Sequence, residues 1–420
     1  MTRQIRSYAK EEVGWGRQDE GVTEHVPTDE IPSTTTTAEP APDWNPRGPR
    51  VRRDPLAAYD EMRGQCPVAR GPAGDWTLFS HAAVTAAALD DRTFSNGVSR
   101  FLQVPNGLDG PTHTAYRAVV DRYFTPERMR ALEPAVERVA AELVAGLDVP
   151  GAVDAVAVGA RFAVRAQCAW LGWPAELEDE LLGWMADNHA ASRSGDRART
   201  AEVAARFDAI IRSLTDARRQ AGADAPDDVT TELVRDRVDG RPLTDEEIVS
   251  LLRNWTGGDL GSMALCAGVV LGYLADHPPL QDRLRSGVSD RELNAVLDEI
   301  LRIDDPFVSN RRVTTEAVTL AGREIAAGDR VHLSWTAANR DPRVFGDPDD
   351  FAPERNAPYN LVWGIGRHVC PGRPLDTLEL RALTRAVLAS TTSVDPDPDR
   401  PRERAQPPVG GYAAAPVRLR

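Results

Sequence analysis

The segment of this chain with the most chemistry in it is Trp363-Gly364-Ile365-Gly366-Arg367-His368-Val369-Cys370-Pro371-Gly372. Its three glycines let the backbone turn tightly and come close to something large and flat. A single cysteine, Cys370, stands where the loop meets a helix. Pro371 suits the first turn of that helix, where no N–H is needed. The positive partial charge of a helix N-terminus lowers a thiol pKa and favours the thiolate. A thiolate so placed binds a soft metal centre. A structural cysteine buried in a glycine-rich loop is the plain alternative, and a lone cysteine leaves both open.

Four further groups stand at spacings that could do work. Glu299 and Arg302, at i,i+3, share one helix face and can pair. His113 and Arg117, in Asp109-Gly110-Pro111-Thr112-His113-Thr114-Ala115-Tyr116-Arg117, lie four apart and present two donors on one face, as carboxylate groups require. Arg311-Arg312-Val313-Thr314 carries arginine into a strand. Asp259 precedes Ser262 by three in Trp255-Thr256-Gly257-Gly258-Asp259-Leu260-Gly261-Ser262-Met263, so both can face one way. Each of these alone also reads as ordinary solvated charge.

Together they resemble the cytochrome P450 superfamily. Trp363, Gly364, Gly366, His368, Cys370 and Gly372 fill its ligand-loop pattern, aromatic-Gly-x-Gly-x-His-x-Cys-x-Gly, and the other segments follow in the family's order from about residue 54 onward. The resemblance implies a mainly α fold, the P450-like triangular prism with a small β-rich subdomain. It implies heme b, iron protoporphyrin IX, with Cys370 as axial ligand and His113, Arg117, Arg312 and His368 around it. Glu299 and Arg302 would form a buried pair completed by Arg355. The implied activity is monooxygenation of a small organic substrate with O2, possible in secondary-metabolite biosynthesis. A thiolate pushes electron density toward iron and favours O–O cleavage. The chain has no GxGxxG and no cysteine cluster, so electrons would come from separate proteins, a ferredoxin and its reductase. Arg367 and Arg373 beside the loop either dock such an acidic partner or are ordinary surface charges. Phe101, Leu102, Trp255 and Val308 are expected at the pocket walls by position.

The sequence departs from the family in three places. An ungapped count back from His277-Pro278 puts Ser262 at the alcohol position and Gly261 at the acid position, so the adjacent acid–Thr pair that delivers protons is absent. Asp259 and Ser262, with water, would replace that relay; the alternative is that Asp259 binds locally and the glycines open the helix for oxygen. The same departure leaves room for a peroxide-using enzyme, or for coupling or rearrangement chemistry. A heme-binding sensor that never turns over and a glycine loop that binds phosphate are further readings. Trp363 replaces the commoner phenylalanine and either fills the aromatic slot or aims its N–H at the sulfur. Asp376 occupies a place usually held by a small residue and has no account from sequence.

These groups need long helices to position them. Capping boxes at Thr244/Glu247 and Ser289/Glu292 start helices expected over 245–276 and 290–302. The first, at 1.5 Å per residue, is about 48 Å long and crosses a whole domain. Helical periodicity also marks 126–147, 196–221 and 375–389, and Asp54 opens a short helix with Pro55 in its first turn. Strands are expected at 76–79, 313–320, 323–325 and 331–333, with turns at Gly322 and Gly328, and a terminal hairpin at 410–419. Residues 1–50, with a Thr/Pro-rich run at 32–42, are expected to be a disordered tail, and 51–420 a single domain. The net charge is −14, which argues against a general nucleic-acid binder. The scattered Cys66, Cys168, Cys266 and Cys370 form no metal or redox pair and suit a reducing cytoplasm. The longest apolar stretch, 261–275, is too short to span a bilayer, so no membrane association is expected.

Overall fold

The computed structural model describes residues 43–420. Residues 1–42, which hold Lys10, the Thr/Pro-rich run and most of the expected tail, lie outside the described residues. The end of that expected tail is folded: Trp44 is buried against Tyr59 and Phe79. A short helix, Pro49–Arg53, follows it.

Eight longer helices position the site: α1 (Gly110–Asp121), α2 (Pro126–Ala145), α3 (Ala155–Leu171), α4 (Glu178–Ser194), α5 (Arg197–Ala221), α6 (Asp245–Asp276), α7 (Asp290–Ile303) and α8 (Arg373–Ser390). The long helix α6 starts on a reciprocal capping box between Thr244 and Glu247 and stops at His277, ahead of Pro278. It is apolar enough to pass as a membrane span, yet 72% of its apolar window is buried inside the molecule. It is a core helix, hydrophobic nearly all round. Glycine lets α3 lie directly on it. A β-carbon at Gly159 would stand 2.5 Å from Cβ of Ala267, and one at Gly268 would stand 2.5 Å from a methyl of Val156. Helix α7 is amphipathic, with Leu293, Val296, Leu297, Ile300 and Leu301 inside at helical spacing.

The principal sheet has five strands, β1 (Val68–Arg70), β2 (Trp76–Leu78), β3 (Phe94–Ser95), β4 (Ser309–Thr314) and β5 (Arg330–Ser334), in the order β1-β2-β5-β4-β3. β2 and β5 are parallel and every other neighbour pair is antiparallel. Strand β4 carries Arg312 to the site.

Four local expectations are corrected. The strand expected over 313–320 breaks after Thr314 and resumes as Val318–Leu320, which pairs with Arg323–Ile325. The terminal segment is no hairpin on itself: Tyr412–Ala414 pairs with Glu403–Arg404, and Pro416–Leu419 lies between Val394–Pro396 and Gly151–Asp154. The box at Ser289 is half formed. Ser289 caps the Glu292 N–H, but the Glu292 carboxylate turns to Arg283 instead. Pro374 rather than Pro371 occupies the first turn of α8.

Glu247 does two jobs at the start of α6. It accepts from the Thr244 N–H and pairs with Arg241 at 2.8 Å, while the Tyr116 hydroxyl donates to it. Arg241 chiefly holds its carboxyl down at about 2. The stability it contributes is therefore complete above the ordinary carboxylate value and is lost as pH falls toward 2. Glu247→Gln should cost about 1 kcal/mol at neutral pH, after solvent screening of the half-exposed Arg241. It should also flatten the acid limb of a melting-temperature profile recorded from pH 6 to 2.5.

Candidate active site

The ligand loop is folded back on itself by its own backbone. The Cys370 N–H donates to the Trp363 carbonyl at 2.8 Å, and Gly364 N–H to the Leu361 carbonyl at 2.8 Å. Gly364 and Gly366 have φ of 71° and 77°, the left-handed region that favours glycine. From α1, Arg117 donates to the carbonyls of Arg367 and Val369 at 3.1 and 2.7 Å while pairing with Asp121. Arg117 thus braces the loop from the cavity wall.

The loop closes one wall of a cavity that Cys370 shares with Asn96, His113, Arg117, Trp255, Asp259, Ser262, Arg312 and His368, among others. Burial, then the charge of Asp376, pushes the Cys370 thiol up to about 12; the N–H groups of Gly372 and Arg373 pull the other way and lose. The helix terminus lowers the thiol pKa, as expected, but burial outweighs it. A coordinating metal would remove the proton outright.

A second part of the wall gathers cationic and imidazole groups. Arg312 is 5% exposed, and its guanidinium donates to the neighbouring Arg311 carbonyl; no carboxylate among the described residues pairs with it. Burial pushes it down to about 10. The rings of His113 and His368 lie 4.1 Å apart. Burial first, then His113 and Arg312, push His368 down to about 3. Neutral His368 accepts from the Asn96 amide at 2.8 Å on Nε2, which leaves its proton on Nδ1 as a donor. Asp109, held by Ser95 and Asn96, stands 3.7 Å from the His368 ring. A buried guanidinium without a carboxylate, beside two neutral imidazoles, asks for an anion. A flat group bearing carboxylates and a thiophilic metal fits the residues present.

Behind the loop, Glu299 and Arg302 form the expected pair, bidentate at 2.9 and 3.0 Å and essentially without exposure. Arg302 also donates to the carbonyls of Asn339, Pro348 and Asp350. The expected third member is corrected. Arg355 is half exposed and reaches the Phe345 carbonyl and Asn356. It is Asn356, 1% exposed, whose amide donates to Glu299 at 2.6 Å, because the turn Pro353–Asn356 aims that residue inward.

The profile of the family described as Cytochrome P450 matches residues 193–413. Cyclomarin C epoxidase CymV of Salinispora arenicola is 33% identical over 325 residues, 73% of this chain and 80% of its own length. Erythromycin C-12 hydroxylase of Saccharopolyspora erythraea is 30% identical over 368 residues, 83% and 90% of the two chains. A mutant of P450 EryK in complex with erythromycin B superposes with a TM-score of 0.78 at 29% identity, over 87% of this chain and 95% of that one. This chain belongs to the cytochrome P450 family. It is a monooxygenase and its cofactor is a heme held through thiolate.

In this P450 the Trp363 indole N–H donates to Asp298 at 2.8 Å; it fills the aromatic slot and leaves the sulfur alone. Arg373 also pairs with Asp298, and Arg367 stands 3.6 Å from Asp91, both more than half exposed. Of the four guessed wall residues, Trp255 lines the cavity. Phe101 and Leu102 are exposed, and Val308 packs against the separate apolar cluster that includes Trp44 and Phe79. The segment after Arg302 contributes Asp305, Pro306 and Phe307 instead.

Asp259 and Ser262 both reach the cavity, but neither oxygen of Asp259 has a hydrogen-bond partner. Its carboxyl sits among Asp376, Glu379 and Gln167, and burial pushes it up to about 6. The sequence reading missed Gln167 and Glu379. Two acids at i,i+3, Asp376 and Glu379, among Leu375, Leu378 and Leu380 were the available signal. It also missed His189, whose Nε2 would lie 3.3 Å from a β-carbon at Gly261 and so crowds the position where the family's acid would stand.

Asn356→Ala should destabilise by about 1–3 kcal/mol, since it removes a charge-assisted hydrogen bond to a buried carboxylate oxygen, leaving that oxygen to Arg302 and the Ala352 N–H. Arg355→Ala should stay within about 0.5 kcal/mol. Urea unfolding of the two variants in parallel measures the difference.

Proposed function

We propose that this P450 monooxygenase modifies a secondary metabolite, using heme b bound through Cys370. The carrying observation is one cavity lined at once by the Cys370 thiol, the His113/His368/Arg312 group and the Ser262 hydroxyl. Arg312 and the neutral rings of His113 and His368 would hold the heme carboxylates, and Arg117 would keep the loop carbonyls, and with them the sulfur, in place. When bound, the heme supplies oxygen activation, and the sulfur's electron donation favours O–O cleavage.

The protein's own part is to bind, exclude water and move protons. The Ser262 hydroxyl would pass protons into the cavity. Asp259, protonated to a substantial degree near pH 6, would resupply it through water. Electrons come from separate redox partners, for which we propose a ferredoxin and its reductase, with Arg367 and Arg373 on the docking face. A reducing cytoplasm suits four free cysteines. The named substrates of the relatives, cyclomarin C and erythromycin, support a bulky natural product as the substrate class. Glycine at position 261 favours a second reading, in which peroxide replaces O2 and reductant. Product formation with peroxide alone, matching that with NADPH and surrogate partners, would select it.

The reduced, carbon monoxide-treated protein should show the long-wavelength Soret band of thiolate ligation, and Cys370→Ser should abolish it. A wild-type spectrum of histidine type would overturn the reading. Arg312→Leu should release heme to apomyoglobin roughly 10- to 100-fold faster, as expected for about 1.5–3 kcal/mol of a charge-assisted hydrogen bond. Unchanged release would remove Arg312 from the heme contacts.

A further inference from the structure

Where α3, α6 and α8 meet, three carboxyl groups converge without a positive charge. One oxygen each from Asp259, Asp376 and Glu379 lies within 4.8 Å of the other two. Asp259 is 8% exposed and Glu379 not at all, and all four of their oxygens lack a hydrogen-bond partner. Independently of the acids, Gln167 on α3 has no exposed surface, and both its amide oxygen and its amide nitrogen are unpartnered. It borders Asp259 and lines the same cavity. Six orphaned buried polar atoms in three neighbouring side chains are unusual, since buried polar groups are nearly always paired.

Something must compensate this cluster. Protons could lower its charge, and burial does push all three acids upward. Protons can join Asp259 to Asp376, and the Gln167 N–H faces Asp259, but at their present positions both oxygens of Glu379 and the Gln167 carbonyl oxygen stay without a partner. A hard divalent cation satisfies several oxygens at once. Oxygens on opposite sides of a bound Ca2+ stand about 5 Å apart, and the three carboxylate oxygens fall inside that span. Carboxylates together with an amide carbonyl are the donors such an ion takes.

We propose that Asp259, Asp376 and Glu379, closed by the Gln167 carbonyl oxygen, form a divalent-cation site of the Ca2+ or Mn2+ kind in the wall of the active-site cavity. Three ionised carboxylates around one such ion carry a net charge of −1, against −3 for the same ionised groups without it. The cation ties α8, which follows directly on the ligand loop, to the middle of α6. Asp259 cannot hold a relay proton while it ligates a metal, so cation occupancy decides whether Ser262 is resupplied from this side. The site does not rest on the redox reading, since its ligands owe nothing to the sulfur.

The test uses the heme-loaded enzyme, freed of adventitious metal with a chelator and then titrated with Mn2+ by electron paramagnetic resonance and with Ca2+ by calorimetry. One ion per chain is expected, with a raised melting temperature. Glu379→Gln and Gln167→Leu should each weaken binding at least tenfold while circular dichroism and heme content confirm the fold. If Glu379→Gln does not fold, the wild-type titration and Gln167→Leu decide. No stoichiometric binding of Mn2+ or Ca2+, or binding unchanged in the variants, overturns the proposal. The carbon monoxide spectrum of the same samples separates that failure from a failure of the heme assignment.

Discussion

Arg302 brings a full positive charge to a place with no exposed surface, and the half of the molecule behind Cys370 is arranged to receive it. Burying such an ion is costly unless every donor finds an acceptor. Glu299 supplies two oxygens, and the carbonyls of Asn339, Pro348 and Asp350 supply the rest. Those carbonyls belong to a stretch with little regular structure of its own, and satisfying the guanidinium gives it a fixed path. The chain leaves that path at Asn360 and Leu361, which are themselves held by Asp298 and Asn339, and enters the ligand loop. The position of the sulfur therefore descends from an ion pair that never touches it.

A similar economy governs the cavity. Its polar residues are set in fixed backbone: Arg312 in a sheet strand, His113 and Arg117 one turn apart on α1, His368 in a tight turn whose carbonyls Arg117 grips. Arg117 shows how one side chain can serve two parts of a site. Its i,i+4 spacing from His113 points it at the ligand loop, where it donates to two backbone carbonyls from the wall of the cavity that His113 also lines.

What could be read from sequence follows from how local each signal is. The long helices announce themselves by caps and periodicity, and the ligand loop by a pattern of six positions in ten. Asn356 escaped because its role depends on a four-residue turn that swaps the inward residue from 355 to 356. The terminal strands looked like one hairpin because pairing across sheets leaves no trace in a short window. Asp376 could be seen to be odd but not explained: its partners come from α6 and from the same face of α8, and the convergence of three helices is a tertiary fact. Trp363 offered two uses for its N–H, and Asp298, 65 residues away, decided between them.

The glycine contact between α3 and α6 fixes the separation of two helices that both face the cavity. A side chain at Gly159 or Gly268 would stand 2.5 Å from an atom of the opposite helix and force the pair apart. Gln167 and Trp170 on α3 and Trp255, Asp259 and Met263 on α6 line the chamber, so its width on that side is set by two residues that never meet it. The lining side chains can be exchanged without disturbing the scaffold; the two glycines cannot.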